Sequence, residues 1–500
     1  MPGKHLLSTS SASCQVNVTR SCSKLGITIP QYAQTGCAAG TVVRLTIASG
    51  SEKASFLTLI ATWTTIPTRI CTKLNLAYDQ NVSILELKPI PPHTPSPFKT
   101  QGDKVDLLSL VPATSTNGYQ LYVDEYETRG EQWLRIWYRH PRGAARQVEL
   151  KRHVDISNLG ELLGQLQAEG DKNNPRVVFK NASIAEHADF VSYLRELGMQ
   201  SSGIAARCVF NAARTTQNDA TEYSNSYVKA TGIGIVSIDS TPTMKGSMAV
   251  ETCVRSSVLA TILISAMNEV RKGKVENEKL RRAFLAKLLS GDGTLDARRT
   301  PHRLDVRVKI VDQNVDYLFD YATILAKEGF VPHVLPEHIT VRAYCTWLNL
   351  LTLYHIRAFR NNRNWIKLIC SIMIQIRGLE NQGYKRIQEL SSLESITSAD
   401  VSARYDIGTR SANLWINTML RRGLLETLPQ ARARGFKHYV VSPSGKKMCR
   451  ILKEIERDYA EICAEQRLDD PETILQRIKR KGKSLNQSNM KTGIQPSSAE

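Results

Sequence analysis

The chain lacks the motifs that identify several common classes of enzyme and binding protein. It has no GxxxxGKS or GxxxxGKT phosphate-binding loop and no GxSxG nucleophile elbow. Its 10 cysteines include no CxxC pair, so a zinc site is poorly supported. No apolar run reaches the roughly 18–20 residues that a bilayer-spanning helix needs, and the N-terminus has no apolar signal-peptide segment. We therefore predict an intracellular protein, of the cytoplasm or nucleoid, without a membrane partner.

Positive charge is what the chain has in excess. Its 500 residues include 66 Lys and Arg against 47 Asp and Glu, which gives a net charge of +19. A field of this sign attracts polyanions, chiefly nucleic acid or anionic membrane. The hydrophobic fraction of 42% is enough for ordinary cores. A chain of this length is expected to fold as several domains.

Shifts in composition divide the chain into six segments. The first is Ser-rich without periodicity, the second and third are rich in strand-like runs, the fourth alternates helices and strands, the fifth is a further helical module, and the last is basic and polar. We predict a disordered tail over 1–25, a small β-rich domain over 26–100, a β-rich connecting segment over 101–150, a central domain over 151–377, a module over 385–467 and a basic disordered tail over 468–500.

The β-rich segment 26–100 carries a weak internal repeat. Strand-like runs at 42–47 and 82–87 each follow an Ile-Pro pair, with a spacing of about 37 residues. This pattern resembles the AbrB-like β-barrels, many of which bind DNA. The other interpretation is an accessory β domain with no binding role, and the sequence leaves both open.

Two helical segments in the central domain share one pattern. LLGQLQAEG at 162–170 and LAKLLSGDG at 285–293 each have leucines at helical spacing and end in an acidic residue followed by glycine. We predict that the first helix opens at Asn158 with Glu161 completing a capping box, and that Gly170 and Gly293 terminate the helices as C′ residues. Strands at 176–180 and 305–310, then helices at 184–197 and 315–328, follow the two segments.

These paired segments resemble the LAGLIDADG homing endonucleases. The resemblance covers roughly 150–375 and implies an α+β fold, a pseudo-twofold αββαββα saddle with repeats over about 151–272 and 273–377, in a monomer. Two such helices are expected to pack side by side and to bring Glu169 and Asp292 to one end of the pair. Two departures from the family pattern are Lys287, where a small residue is usual, and Glu169, where Asp is usual.

The resemblance also implies a set of functional residues. Glu169 and Asp292, with Gly170 and Gly293 beside them, are the expected ligands of Mg²⁺ or Mn²⁺, because oxygen ligands suit these ions. Lys180 and Lys309, on the first strand after each motif, are candidates for the basic residue near the scissile phosphate, and Lys229 is another. The saddle strands are expected to contact double-stranded DNA through arginines: Arg176, Arg207, Arg214, Arg298, Arg299, Arg303, Arg307 and Arg342.

A second nucleic-acid signal lies over 389–441. A helix at 396–404, a turn at 406–408, a helix at 409–422 capped by Thr409, and two short strands resemble a winged helix-turn-helix. This resemblance implies that Arg410, Ser411 and Asn413 reach base edges and that Lys437 lies on the wing.

The sequence thus predicts a site-specific DNA endonuclease that hydrolyses phosphodiesters with a divalent metal. The alternative is a non-cleaving transcription regulator descended from such enzymes, and an RNA-splicing maturase of the same fold also stays open. The two acids favour the enzyme, whereas the additional terminal modules favour the regulator.

Overall fold

The protein is an α+β chain that divides into two compact units. One comprises Met1–Val270 with Lys274–Leu280, and the other comprises Arg271–Gly273 with Arg281–Glu500. The computed structural model describes residues 14–21, 24–30, 37–61, 63–139, 145–171, 175–242, 244, 246–299, 304–359, 363–377, 382–428 and 437–478. Each unit is described by itself.

The first unit begins with an antiparallel sheet in the order β4-β3-β6-β1-β2-β5. Alternating burial places Val18, Leu45, Phe56 and Val82 in its core. The order has two ends, so the described strands do not close into a ring. The elements are β1 (Cys14–Ser21), β2 (Lys24–Ile27), β3 (Val42–Ser49), β4 (Glu52–Leu59), β5 (Thr64–Thr65), α1 (Thr68–Lys73) and β6 (Asn81–Pro89).

The start of this sheet corrects one sequence prediction. Strands β1 and β2 lie largely inside the segment 1–25 that we predicted to be a disordered tail. Cys14, Val16 and Val18 alternate with exposed residues and are buried in the core. Three apolar residues at every second position give too weak a signal to predict a strand in a Ser-rich segment. They are nevertheless enough to fix a strand against a sheet in the folded protein.

The connecting segment 101–150 is β-rich, as predicted. Its central part is an antiparallel meander in the order β11-β10-β9, and a smaller sheet has the order β12-β8-β7. The elements are β7 (Thr100–Gln101), β8 (Lys104–Asp106), β9 (Tyr122–Thr128), β10 (Glu131–Arg139), β11 (Ala145–Lys151) and β12 (His153–Asp155).

A continuous row of alternating charges joins the meander to the N-terminal sheet. Each link is an ion pair of 2.9–3.1 Å between nitrogen and oxygen. In order along the row the members are Arg69, Glu149, Arg135, Asp124, Arg44 and Glu86. Asp124 and Arg135, in the middle, are buried, and the row becomes more exposed toward its ends. We call this set the ion-pair row.

The first unit continues with the elements that follow the first motif. Their sheet has the order β13-β16-β14-β15. The elements are α2 (Ile156–Glu169), β13 (Val177–Asn181), α3 (Ile184–Glu196), β14 (Ile204–Phe210), α4 (Gln217–Thr231), β15 (Ile235–Ser240), β16 (Met248–Val254) and α5 (Ser257–Arg271). Helix α2 begins at Ile156 and is capped by Asp155, whose carboxylate accepts from Ser157 and Asn158 amides, so the predicted start at Asn158 is wrong.

The elements around the second motif form a helix, two strands, a helix, two strands and two helices. Their sheet has the order β17-β18-β20-β19, with every pairing antiparallel. The elements are α6 (Glu278–Gly291), β17 (Gly293–Arg299), β18 (Leu304–Val311), α7 (Val315–Lys327), β19 (Val331–Leu335), β20 (Thr340–Tyr344), α8 (Trp347–His355) and α9 (Arg363–Arg377).

The two copies share one strand plan. The pairing of β18 with β20 and of β20 with β19 has its counterpart in β13 with β16 and β16 with β14. In place of β17 the first copy has only an isolated bridge between Gly170 and Phe179. Helix α4 and strand β15 are additional to the plan and stand between β14 and β16 in the chain.

The C-terminal module contains the two predicted helices and the two predicted strands, together with one further helix at its start and one at its end. They are α10 (Gln382–Leu390), α11 (Ser398–Tyr405), α12 (Thr409–Arg421), β21 (Leu425–Thr427), β22 (Tyr439–Val441) and α13 (Pro443–Gln466). Thr409 is the first residue of α12 and not its cap, since Gly408 occupies that position. Residues 471–478 are helical, so this part of the predicted disordered tail 468–500 is ordered; residues 479–500 lie outside the described chain.

A buried histidine sits in the core of the first copy. His187 is 0% exposed and its ring nitrogens lie 3.0 Å from the Asn181 carbonyl oxygen and 2.9 Å from the Thr252 hydroxyl. Tyr227 in turn bonds the Thr252 hydroxyl at 2.9 Å. Burial lowers the pKa of His187 to about 4, because the cation would lose its water.

This histidine makes the stability of the first unit depend on pH. The unfolded chain takes up a proton near pH 6.5 and the folded chain does not until about pH 4. Stability is therefore complete above pH 6.5 and is lost as the pH falls, by about 2 kcal/mol at pH 5. Hydrogen exchange of α3 at pH 7.5 and pH 5, corrected for intrinsic rates, measures the loss. A His187→Gln variant should lack this pH-dependent part, and a His153→Asn variant should keep it.

Candidate functional site

A polar seam fixes the first acidic helix against the helix that follows its sheet strand. Helices α2 and α3 run antiparallel, and side chains on α2 bond to α3 at intervals of three and four residues. Asn158 donates to Glu196, Tyr193 donates to Glu161, and Gln165 Nε2 donates to Glu186 at 2.6 Å. Glu161 therefore belongs to this seam and not to a capping box.

Glu169 continues the seam four residues after Gln165, on the same helix face. Its side chain is exposed, yet desolvation by the surrounding atoms and, after it, the carboxylate of Glu186 raise its pKa. Gln165 is buried, and its Oε1 accepts no hydrogen bond from the described part of the chain. The first acid thus lies near a second carboxylate, that of Glu186.

The second acid has different neighbours. Asp292 is half-buried and lies near Tyr321 on α7. Burial first, then Asp312, and then the charge of Asp292 raise the pKa of the Tyr321 phenol. The Tyr321 hydroxyl donates to the Asp312 carboxylate at 2.8 Å. Two carboxylates therefore flank a buried tyrosine in the second unit.

Helix α9 holds the corner beside Asp292. Asn364 is buried and donates to the Gly293 carbonyl oxygen at 3.3 Å. Lys367 donates to the Leu295 carbonyl oxygen at 3.2 Å and to Asn364 at 2.9 Å. Sequence reasoning missed these two residues, since they lie about seventy positions beyond the motif. Their signal was two polar side chains three apart on a helix that is otherwise mainly apolar.

At both motif glycines, neighbouring atoms leave no room for a side chain. The backbone there is not left-handed. Gly170 has φ −85° and ψ 151°, and Gly293 is the first residue of β17, so neither is the C′ glycine that we predicted. A Cβ on Gly170 would lie 2.5 Å from the Leu166 carbonyl oxygen, and one on Gly293 would lie 2.4 Å from that of Leu289. In both copies the glycine at the end of the motif packs against the backbone of the residue four positions earlier.

Adding a methyl group at either glycine is expected to open this corner. The contact is with backbone, which cannot rotate away, so Gly293→Ala should cost about 2–3 kcal/mol. Hydrogen exchange of α6 and β17 in the full chain measures the loss. Gly408→Ala is the matched control, since its Cβ would meet nothing within 4 Å. Equal exchange in Gly293→Ala and the wild type would contradict the steric explanation.

The second sheet presents a cationic open face. Along β17, β18 and β20 the apolar residues of one face are buried, and the opposite face carries half-buried and exposed residues apart from the buried Thr340. Register places Thr294, Lys309, Arg342 and His333 in one row across the four strands. In the next row the Arg307 guanidinium lies 4.3 Å from the Tyr344 ring centre.

Two further arginines of this sheet differ from each other. Arg298 is exposed, falls on the same alternation as Thr294, and bonds Asp296 at 3.1 Å. Arg299 falls on the opposite alternation and lies 3.7 Å from Glu472. Arg303 lies outside the described residues. Thus Arg298, Arg307, Lys309 and Arg342 belong to the open face, and Arg299 does not.

The open face of the first sheet carries less net charge. Register places Lys180, Glu251 and Arg207 in one row, and Arg207 bonds Glu251 at 2.8 Å. Arg176 and Arg214 are exposed but lie outside the strands, before β13 and after β14.

Helix α12 exposes a polar stripe without an acidic residue. Ala412, Ile416 and Met419 are buried. The opposite side exposes a set of polar residues at helical spacing together with Leu414, which is 65% exposed: Arg410, Ser411, Asn413, Asn417 and Arg421. Lys437, before β22, is also exposed.

Among the described residues there is no group of three or more His, Cys, Asp or Glu side chains arranged to hold a metal ion. None of the described helices is both long and apolar enough to cross a bilayer. No protein-family model matches the chain, and no curated protein matches it.

Proposed function

We propose that the protein is a site-specific double-strand DNA endonuclease of the LAGLIDADG homing type. One observation carries the proposal: the acid-glycine corner occurs twice, with the same steric requirement for glycine, and the same pairing of three strands follows it in both copies. A lone helix ending in Asp-Gly is common, but a shared corner followed by a shared strand plan is a repeated unit. Two acids in two repeated units suit a reaction at two DNA strands.

The side chains at the two acidic corners are of the type that binds a hard divalent cation. Glu169 and Asp292 offer carboxylate oxygens, and no thiol or imidazole competes beside them among the contacts described above; Mg²⁺ or Mn²⁺ is the matching ion. When bound, such an ion would polarise the phosphate and make bound water more acidic. Asn364 and Lys367 hold the chain behind Asp292, and the seam holds α2 behind Glu169. Lys180 and Lys309 are the candidates for charge neutralisation at the phosphate.

The Glu186 carboxylate near Glu169 leads to a prediction about the pH dependence of metal binding at the first acid. A raised pKa means that Glu169 ionises at a higher pH than usual, so metal binding there weakens as the pH falls toward that pKa. Glu186→Gln removes the second carboxylate and should shift the acid limb of Mn²⁺-dependent cleavage to lower pH. Glu196→Gln, which neutralises an acid at the other end of α3, should leave the limb in place. An identical profile for Glu186→Gln and the wild type would contradict this coupling.

DNA contacts are proposed for the second sheet and for the C-terminal module. Lys309, Arg307 and Arg342 would bind phosphates or guanines from the open face. The C-terminal module has the element order of a winged helix-turn-helix, and α12 would present Arg410, Ser411 and Asn413 to base edges. Lys437 would contact the backbone from the wing.

The test is cleavage of a randomised duplex library with Mg²⁺. We expect cuts within one enriched sequence by the wild type and none by the Glu169→Gln/Asp292→Asn double variant. Both proteins should retain duplex binding that weakens with salt, because phosphate neutralisation releases counterions. Cuts that persist in the double variant would refute the assigned acids.

The second candidate is a non-cleaving transcription regulator. The exposed polar stripe of α12 favours it, because sequence-specific binding by that helix needs no metal. Selective duplex enrichment by the wild type without any cut, at several Mg²⁺ and Mn²⁺ concentrations, would establish the regulator instead.

A further inference from the structure

A broad polar cleft lies within the first unit and belongs to neither acidic corner. Its volume is about 1170 Å³, and its walls come from the N-terminal sheet with α1, from the meander β9–β11, and from the turns at 198–203 and 254–256. Seven cationic and four anionic side chains line it. The excess of positive charge indicates an anionic occupant.

The floor of the cleft is fixed and contributes little net charge. It is the ion-pair row, in which three arginines alternate with three carboxylates. Burial alone raises the pKa of Glu149, but Arg69 and Arg135 outweigh it and hold that pKa below its ordinary range. Each arginine of the ion-pair row is therefore already paired with a carboxylate of the row. The positive charge that attracts a ligand must come from other residues of the cleft.

Four exposed cations on the walls supply that charge. Lys53, Lys73, Arg129 and Arg255 come from four separate elements, and no ion pair is found for any of them in the described part of the chain. Arg129 stands at the tip of the β9–β10 turn with a φ of 54°. Cations gathered from distant parts of the sequence along one cleft suit a ligand with several anionic groups.

Two aromatic rings lie side by side in the same cleft. Tyr126 and Trp133 are register partners on β9 and β10 and are both half-buried. The Arg135 guanidinium lies 4.6 Å from the Tyr126 ring centre. Gly198, at φ +98°, allows the Trp133 ring to approach within 2.6 Å of the position that a Cβ would occupy. Flat surfaces beside separate cations suit bases joined by phosphates.

We infer that this cleft binds single-stranded nucleic acid, with Lys53, Lys73, Arg129 and Arg255 on phosphates and Tyr126 and Trp133 stacked on bases. The volume exceeds the roughly 300–1,000 Å³ that small-molecule sites occupy, so more than one nucleotide fits. No residue that lines the cleft belongs to either acidic corner or to α12, and the cleft gives the segment before residue 150 a role of its own.

The test is fluorescence anisotropy of a labelled oligothymidine without divalent metal, with an oligouridine and a duplex as further probes. We expect a Lys53→Gln/Lys73→Gln/Arg255→Gln variant to bind the single strands roughly tenfold or more weakly, with a smaller salt slope. A Lys24→Gln/Lys99→Gln/Arg146→Gln variant removes as much charge outside the cleft and should bind like the wild type. All six positions are exposed, so both variants should fold.

Ultraviolet crosslinking supplies a readout that does not depend on charge. We expect crosslinks of the oligonucleotide at Tyr126 or Trp133. Equal losses in the two variants, crosslinks only outside the cleft, or full competition by a mononucleotide at similar concentration would each overturn the inference. Because the assay contains no metal and the Glu169→Gln/Asp292→Asn variant should bind normally in it, a failure of the proposed nuclease activity would be distinguishable.

Discussion

Replacing Glu328 by Gln is expected to destabilise the second unit by about 3–5 kcal/mol, because it breaks a buried ion cluster and leaves two guanidinium groups behind. The Glu328 side chain is 0% exposed. Arg281 and Arg282 each donate from Nε to one of its oxygens at 2.7 Å. The cluster joins the start of α6 to the end of α7, so it fixes the helix that leads to Asp292.

Urea unfolding followed by hydrogen exchange measures this loss and locates it. Exchange of α6, α7 and β17–β20 should become faster, while β3 and β6 of the first unit should be unchanged. Glu337→Gln is the matched control, because that carboxylate is 64% exposed and lies 4.0 Å from His338. It should change stability by no more than about 0.5 kcal/mol. A Glu328→Gln effect as small as this control would contradict a structural role for the cluster.

Replacing Arg135 by Leu is expected to cost the first unit about 3 kcal/mol, since it removes the central cation of the ion-pair row. Arg135 is 7% exposed and Asp124 is 2% exposed. Burial already raises the pKa of Asp124 despite Arg44 and Arg135 beside it. Without Arg135 that pKa should rise further, so the folded variant takes up a proton more readily than the unfolded chain. The loss of stability should therefore be larger at pH 8 than at pH 5.

Chemical unfolding of the wild type and Arg135→Leu at both pH values checks the size and the sign of this effect. Arg152→Leu is an informative comparison, because it breaks a more exposed pair with Asp106. Burial raises the pKa of Asp106, but Arg152 outweighs burial and holds it below its ordinary range. Since water screens this partly exposed pair more than the buried one, the cost of Arg152→Leu should be smaller. A pH-independent loss in Arg135→Leu would contradict the coupling to Asp124.

The elements that sequence patterns predicted best are those with a strong local signal. Helices α3, α7 and α12, and strands β13 and β18, begin and end within a few residues of their predicted bounds. Each combines an apolar period with a glycine or a polar cap at its end. The class α+β followed from these elements, because helices and strands alternate through the central part of the chain.

The features that sequence patterns missed depend on residues far apart in the chain. The polar seam pairs Asn158 with Glu196 and Gln165 with Glu186, and no local spacing connects either pair. The role of the motif glycines was misjudged for a related reason. A helix-ending glycine is usually read as a left-handed cap, whereas here the close approach of Leu166 or Leu289 excludes a side chain.

The alignment of the two motifs also could not predict the additional helix α4 and strand β15. Aligning the two motifs fixes the elements immediately after each of them, but it says nothing about an insertion later in one copy. Strand β15 pairs in parallel with β14, a connection that an alternating ββ plan does not contain. The sequence therefore predicted that each motif acid stands at the end of its helix, but not the full outline of the first copy.

Under the proposed DNA-binding function, the unequal open faces of the two sheets have a consequence for the target site. In one copy Arg207 is held by Glu251, whereas the other aligns Lys309 with Arg342. Binding energy drawn from two such surfaces cannot be shared evenly between the halves of a recognition site. Under that proposal a palindromic site would have no advantage, and base changes in the half bound by the first sheet should be tolerated better than the mirrored changes in the half bound by the second.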